Sequence, residues 1–332
     1  MRYLVQRALL SPALLVVVFF SSLAPASAAQ SRSAWDTYLL GMHYFHDPHD
    51  YQRAAAFFRE AAAAGVPQAQ FLLGYLYEYG LGVPKDYVQA AKLYQEAALQ
   101  GYANAENNLA SFYLHGRGLP IAPSEAVRWY LAAAMQGDAI AQVNLALLFY
   151  DGEVAPQNFH LASYWFRAAA EAGQPKAQGM LSVMFFLGQG VPQDFHEAAR
   201  WAALAAEAGL PEAQCNLGYF CERGWGVPLD YVAAFAWYSK ASSAGKHVAA
   251  QRLVSLRQIM TPKQIRQASD LLQTLSLLHP PVDLLVSQPA RRKATSLLQT
   301  ALFSNTFLDE PSPPGSSYSG VLSRFSFSPV AP

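Results

Sequence analysis

Four groups of side chains have types and spacings that could do chemistry or bind. His43, His46 and His49 recur at i, i+3 and i+6, with Asp47 and Asp50 beside them. The first two would share a helix face, so a divalent metal such as zinc is one reading. The competing reading is a polar, solvated cap on a terminal structural unit, since His49 follows Pro48 and needs a loop to fold back toward the others. No metal is assigned. Cys215 and Cys221 lie six residues apart. On one helix that spacing turns about 240° and rises about 9 Å, beyond comfortable disulfide reach. Cys221 therefore reads as a packing residue. Ser243-Ala-Gly-Lys246 has the S-x-x-K spacing of serine–lysine acyl-transfer enzymes, but Gly245 falls between the two side chains and would splay them apart. No H-E-x-x-H, P-loop or strand-borne G-x-G-x-x-G is present, so no catalytic residue and no cofactor are assigned. Lastly, Asn108, Asn144 and Asn216 share one periodic position. Each amide can donate to and accept from an extended peptide backbone, or equally satisfy a neighbouring helix or turn.

The elements that must position these groups come from an internal repeat. Ala69, Ala105, Ala141, Ala177, Ala213 and Ala249 are spaced 36 residues apart. The same step relates Gly65, Gly101, Gly137, Gly173, Gly209 and Gly245, then Pro84, Pro120, Pro156, Pro192 and Pro228. It also relates a large apolar file of Phe57, Leu93, Trp129, Trp165, Trp201 and Trp237. Four files sharing one period without drift define an array of identical units.

Each unit reads as two helices. In 67–79, Ala69, Leu73 and Tyr77 recur on one helical face. Gly80-Leu-Gly82 ends that helix, and Val83-Pro84 runs extended. Asp86 caps the second helix, as do Asn158, Asp194 and Asp230, while Ser124 is expected to replace Ala122 in that role. The second helix runs from Tyr87 to about Gln100, with Ala90, Leu93, Tyr94 and Ala97 inward and Gly101 closing it. One such pair cannot bury both faces, so neighbours must stack.

The pattern A-x-x-x-L-G-x-x-Y-x-x-G-x-G-V-P-x-D followed by A-x-x-x-Y-x-x-A-A-x-x-G resembles the Sel1-like repeat family, relatives of the tetratricopeptide repeats. Ala69-Gln-Phe-Leu-Leu-Gly74, Gly80-Leu-Gly-Val-Pro-Lys-Asp86 and Ala213-Gln-Cys-Asn-Leu-Gly218 carry it. The resemblance implies an all-α, right-handed solenoid: a shortened N-terminal pair at 33–65, repeats over 66–260, and a capping helix at 261–279. Two units depart from the pattern. Asp151-Gly-Glu-Val-Ala-Pro156 lacks the second glycine, and the opening unit is cut to Tyr44-Phe-His-Asp-Pro-His-Asp-Tyr51, so altered loops are expected there. A cysteine-rich branch of the family with paired cysteines in each unit is associated with penicillin binding or β-lactamase activity; those pairs are absent here.

Composition sets outer bounds. The 332 residues carry 23 basic and 23 acidic side chains, so the charge excess that would neutralise a nucleic-acid backbone is missing. Only 14% are charged and 52% are apolar, enough to pack a core and to exclude a largely disordered chain. Residues 1–28 have a positive start (Arg2, Arg7), an apolar run over 8–20 and the triplet Ala26-Ser-Ala28, the layout of a cleavable signal peptide. Export to a bacterial periplasm or beyond is expected (the secretory route in a eukaryote), with no stable membrane span after signal removal. Residues 280–332 break the periodicity with proline and serine and read as a largely disordered tail, except for a short amphipathic stretch at 291–303.

A helical wheel centred on the core face of the first helices puts a variable set opposite, the wall that lines the concave groove in related solenoids. It comprises Phe71, Tyr75, Asn108, Ser111, Asn144, Leu147, Tyr150, Met180, Val183, Asn216, Tyr219 and Glu222. The favoured function is a monomeric, non-catalytic scaffold holding a protein or peptide in that groove. A penicillin-binding enzyme and a cell-wall polysaccharide binder are the alternatives.

Overall fold

The computed structural model describes residues 26–46 and 50–278, with side chains placed from 33 to 275 within that range. Most of the signal-like segment, His49 and the tail with its 291–303 stretch lie outside the described residues. Among those described there are fourteen α-helices and no strand. They are α1 (Ala26–His46), α2 (Tyr51–Ala63), α3 (Pro67–Tyr79), α4 (Tyr87–Ala98), α5 (Ala103–His115), α6 (Pro123–Met135) and α7 (Ala139–Asp151), then α8 (Phe159–Glu171), α9 (Pro175–Leu187), α10 (Phe195–Glu207), α11 (Pro211–Arg223), α12 (Tyr231–Ser243), α13 (His247–Ile259) and α14 (Pro262–Leu278). Consecutive pairs form hairpins from α1·α2 to α11·α12, and each second helix packs on the first helix of the next unit. The result is an α-solenoid.

Each boundary has a local cause. Gly80, Gly116, Gly152, Gly188 and Gly224 end the first helices in the left-handed conformation. Asp86 accepts from the amides of Val88 and Gln89, Asn158 from Leu161, Asp194 from His196 and Glu197, and Asp230 from Val232 and Ala233. Ser124 does not take over the missing cap. Helix α6 starts at Pro123 with Ala122 before it and no side-chain cap, because a proline at the first position removes a donor that would otherwise be orphaned. The second helices end at Ala98 or within a residue of its equivalents, and turns carry the chain to the left-handed glycine file, as at Gly101.

The second loop glycine has a different task. A Cβ at Gly82, Gly118, Gly190 or Gly226 would collide with the backbone of Tyr51, Tyr87, Phe159 or Phe195, the first residue of the preceding unit's second helix. These loops therefore touch the array's backbone, and only glycine fits. The unit that carries Val154 instead is the one whose equivalent neighbour is Pro123 rather than an aromatic residue, so two departures from the pattern meet at one junction. Its loop still closes as the others do: Asn158 N–H donates to Phe149 O at 2.8 Å, as Asp86 does to Tyr77, Ala122 to Tyr113, Asp194 to Phe185 and Asp230 to Cys221.

Core packing follows the alanine files. Ala69, Ala90, Ala97 and their equivalents are fully buried, which lets helices approach closely. Tyr77 is only half-buried, and Leu76 fills the core in its place. In the large apolar file Trp201 and Trp237 are buried, while Phe57, Leu93, Trp129 and Trp165 remain half-exposed. Room for the second helix's ring is made by its partner. A Cβ on Gly74 would lie 2.9 Å from the Tyr94 ring, and one on Gly218 would lie 2.9 Å from that of Tyr238.

Candidate groove on the first helices

The wheel-predicted residues separate into three groups. Near the N-terminus, Phe71 lies 5.7 Å from the Tyr94 ring and 5.4 Å from that of Tyr102, while Tyr75 and Tyr79 pack together at 4.6 Å between centroids. Both tyrosines keep a solvent-facing side, and burial beside Glu78 raises the Tyr79 phenol to about 12, so it stays a neutral donor. In the middle, Asn108, Ser111, Asn144, Leu147 and Tyr150 are half-buried. Here the asparagines meet each other: Asn144 Nδ2 donates to Asn107 Oδ1 at 2.9 Å, and Asn107 Nδ2 lies 3.3 Å from Asn108 Oδ1. The amides of Asn108 and Asn144 are thus joined across two units through Asn107. Tyr150 Oη donates to Gln189 Oε1 at 3.0 Å.

The third group is farther along. Met180 is 5% exposed, Val183 7% and Asn216 9%, so these three lie in the protein's interior rather than on an open wall. They lie on α9 and α11 beside an aromatic cluster in which Phe186 and Phe195 both pack on Trp225, with Phe195 and Trp225 stacked at 5.6 Å. Beyond them Tyr219 is open again, flanked by the guanidinium groups of Arg223 and Arg252 at 5.6 and 5.5 Å. Glu222 accepts from Tyr238 Oη at 2.7 Å and pairs with Arg252 at 3.4 Å.

A second charged cluster repeats this last arrangement. Glu78 accepts from Tyr94 Oη at 2.7 Å and pairs with Arg117 at 3.3 Å. Burial raises the Glu78 carboxyl above its ordinary value, against the opposing pull of the tyrosine bond and Arg117. Both clusters occur where the first helix has glycine and the second tyrosine, so a sequence signal for them existed: glycine at 74 and 218, with glutamate four residues on.

A polar file escaped the pattern reading. Gln70, Gln142, Gln178 and Gln214 are buried, and each donates from Nε2 to a carbonyl eight residues earlier (Ala62, Ala134, Ala170 and Ala206) at 3.1–3.4 Å. Those carbonyls lie in the last turn of the preceding second helix, where each also accepts from the turn glycine's amide (Gly65, Gly137, Gly173 and Gly209) at 2.9–3.1 Å, so the glutamine takes the second acceptor site. Glu106 breaks the file and instead accepts from Gln136 at 2.7 Å.

The residues singled out for reactivity have other engagements. Ser243 Oγ donates to Lys240 O at 2.7 Å, while Lys246 pairs with Glu212 in the first turn of α11, so the two side chains of S-x-x-K serve separate contacts. Cys215 and Cys221 are free thiols, raised by burial to about 11 and about 12. His43 and His46 sit in the last turn of α1. Among the described residues no group of three or more His, Cys, Asp or Glu could hold a metal, and no helix is long and apolar enough to cross a membrane.

Stacked two-helix units, a left-handed glycine after each first helix and a glycine-mediated contact between units define a helical-hairpin repeat protein. The chain belongs to the Sel1 repeat family, whose profile matches residues 37–66, 67–102, 103–138, 139–174, 175–210 and 211–246. Among solved structures it is similar to a Sel1 repeat protein from Oxalobacter formigenes, with 32% identity, TM-score 0.62, and 70% of this chain and 97% of that one covered. It is also similar to c5321, a protective antigen present in uropathogenic Escherichia coli strains, with 27% identity, TM-score 0.52, and 87% of this chain and 67% of that one covered. No curated protein matches the chain.

Proposed function

We propose that this protein is an exported, non-catalytic scaffold that holds an extended segment of another protein against the first helices of its N-terminal units. The observation that supports this reading best is the Tyr75–Tyr79 pair, two large rings left partly open beside a half-buried row of Asn108, Ser111, Asn144 and Tyr150. Tyrosine supplies contact area with little rotamer entropy to lose, and the amides and hydroxyls supply donors and acceptors to a backbone. The interlocked Asn107–Asn108–Asn144 amides act as one polar patch rather than as a ladder with one rung per unit, and buried Asn216 takes no part in it. Export rests on the first 28 residues, and similarity to a protein described as a protective antigen agrees with it.

Photo-cross-linking tests the reading. A benzophenone amino acid replacing Tyr75 or Tyr150 captures one polypeptide in the intact cell, and the same group replacing the outward Lys92 of α4 does not. Capture from position 92 alone would overturn the groove assignment. For export, the protein recovered outside the cytoplasm starts near Ala29; a cytosolic protein retaining residues 1–28 contradicts it.

A further inference from the structure

Among the described residues, the last first-helix of the array lacks the cover that every earlier one has. Val254 on α13 is the sixth member of the file Gly74, Ala110, Ala146, Ser182 and Gly218. Those five are buried beneath the second helix of their own unit, whereas Val254 is 62% exposed. Leu253 is only half-buried, although its equivalents Leu73, Leu109, Leu145, Leu181 and Leu217 are buried. Helix α14 does not fill the gap. It lies on α12 and makes little contact with α13; its Ala268 and Leu275 are buried there, and Lys240 Nζ donates to Leu275 O at 2.9 Å.

We infer that residues 291–303 of this chain supply the missing second helix, docking on α13 with Leu298 over Val254. The segment carries the second-helix register: Ala294, Leu297, Leu298, Ala301 and Leu302 fall at the spacing of Ala90, Leu93, Tyr94, Ala97 and Ala98 of α4. Volumes compensate across the pair. Where the first helix has glycine the second has tyrosine, as in Gly74–Tyr94 and Gly218–Tyr238; here a larger valine faces a smaller leucine. The chain can make the connection. Residues 279–290 number twelve and span up to about 40 Å when extended, against about 20 Å for the length of a 13-residue helix such as α13. α14 has a similar register but is already committed to α12, so the occupant comes from farther along the chain.

A helix of this length is marginal in isolation, so its order reports docking. Amide hydrogen exchange on the full-length protein provides the test. In the unmodified protein, residues 294–302 exchange at least about tenfold more slowly than an unstructured peptide. The protection is lost in Val254→Asp and in Leu298→Asp and kept in Gln299→Asp, which lies on the outward side. Because Val254 is exposed in the uncovered array, Val254→Asp leaves the exchange of α3–α12 unchanged. Four results would overturn the inference: unstructured exchange at 294–302 in the unmodified protein; protection that survives Val254→Asp; loss of protection in α14 instead, which would make α14 the mobile cover; or protection that vanishes on dilution alongside a dimer mass by light scattering, which would assign the face to a second copy.

Discussion

The two halves of the solenoid share a repeat but not a core. Most buried side chains from Val143 to Leu275 form one cluster. The rest of the core is divided into three: 54–76, 90–112 and a third around Ala110, Tyr130 and Leu145, which overlaps the start of the large cluster along α7. Polar contacts occupy the N-terminal junctions: Glu78 with Arg117, Glu106 with Gln136, the asparagine patch, and the uncapped start of α6. In the C-terminal half Met180, Val183 and Phe186 stand at the positions of Asn108, Ser111 and Leu114 and are buried, although Glu222 with Arg252 keeps a charged pair there as well. A side chain that completes a core is not free to face a partner, so on the proposed reading the two halves divide those roles. The account expects stability to concentrate after residue 143, and the proposed recognition surface lies before it.

The sharpest way to break this comparison is a cavity in each half. Phe166→Ala and Phe112→Ala each remove a fully buried ring and should each cost about 3–5 kcal/mol by chemical denaturation. The account expects the first to raise hydrogen exchange throughout α8–α12 and the second to raise it only in α4–α6. Equal spread in both variants would dissolve the distinction.

Glycine positions come next. Gly226→Ala should lose about 2–4 kcal/mol, because φ is +66° and the new Cβ meets the Phe195 backbone. Gly173→Ala, with φ +86° but nothing within 4 Å, should lose only about 1–2 kcal/mol. Similar thermal shifts for the two would remove the inter-unit backbone contact as a reason for the second loop glycine.

A smaller effect is expected from acid. Burial raises the Glu207 carboxyl to about 7, so the folded state holds its proton more tightly than the unfolded chain does. That contribution is fully present below about pH 4.5 and fades as pH rises through 7. Glu207→Gln should therefore gain about 1 kcal/mol at pH 8 relative to the parent, solvent at the group's outer edge screening the rest, and gain nothing near pH 4. A gain that does not change with pH would rule out burial of the charge as its source.

The smallest stability change is expected at the proposed recognition surface. Tyr75→Ala with Tyr79→Ala should leave the melting temperature within about 2 °C while weakening the cross-linked partner's binding about tenfold or more. A large drop in melting with binding retained would return these rings to the core.

The period, the helix pairs and most caps could be read from the sequence, because alanine, glycine and proline each mark a backbone requirement that recurs every 36 residues. What could not be read depended on neighbours. Gln70 and its equivalents look like ordinary polar residues until the carbonyl of the preceding helix is placed beside them. Ser124 is a good capping type, but Pro123 had already settled how that helix begins. Met180 and Val183 fall on the outward side of a wheel, yet the aromatic cluster next to them is completed by Phe220 and Trp225 of the following unit. A wheel describes one helix, and burial belongs to the assembly.

Native-state hydrogen exchange across a denaturant series tests the division most directly. The account predicts that amides of α8–α12 converge on one common opening free energy, while those of α2–α6 open at lower and separate values. Convergence of all units on a single value, or a more stable N-terminal half, would contradict it.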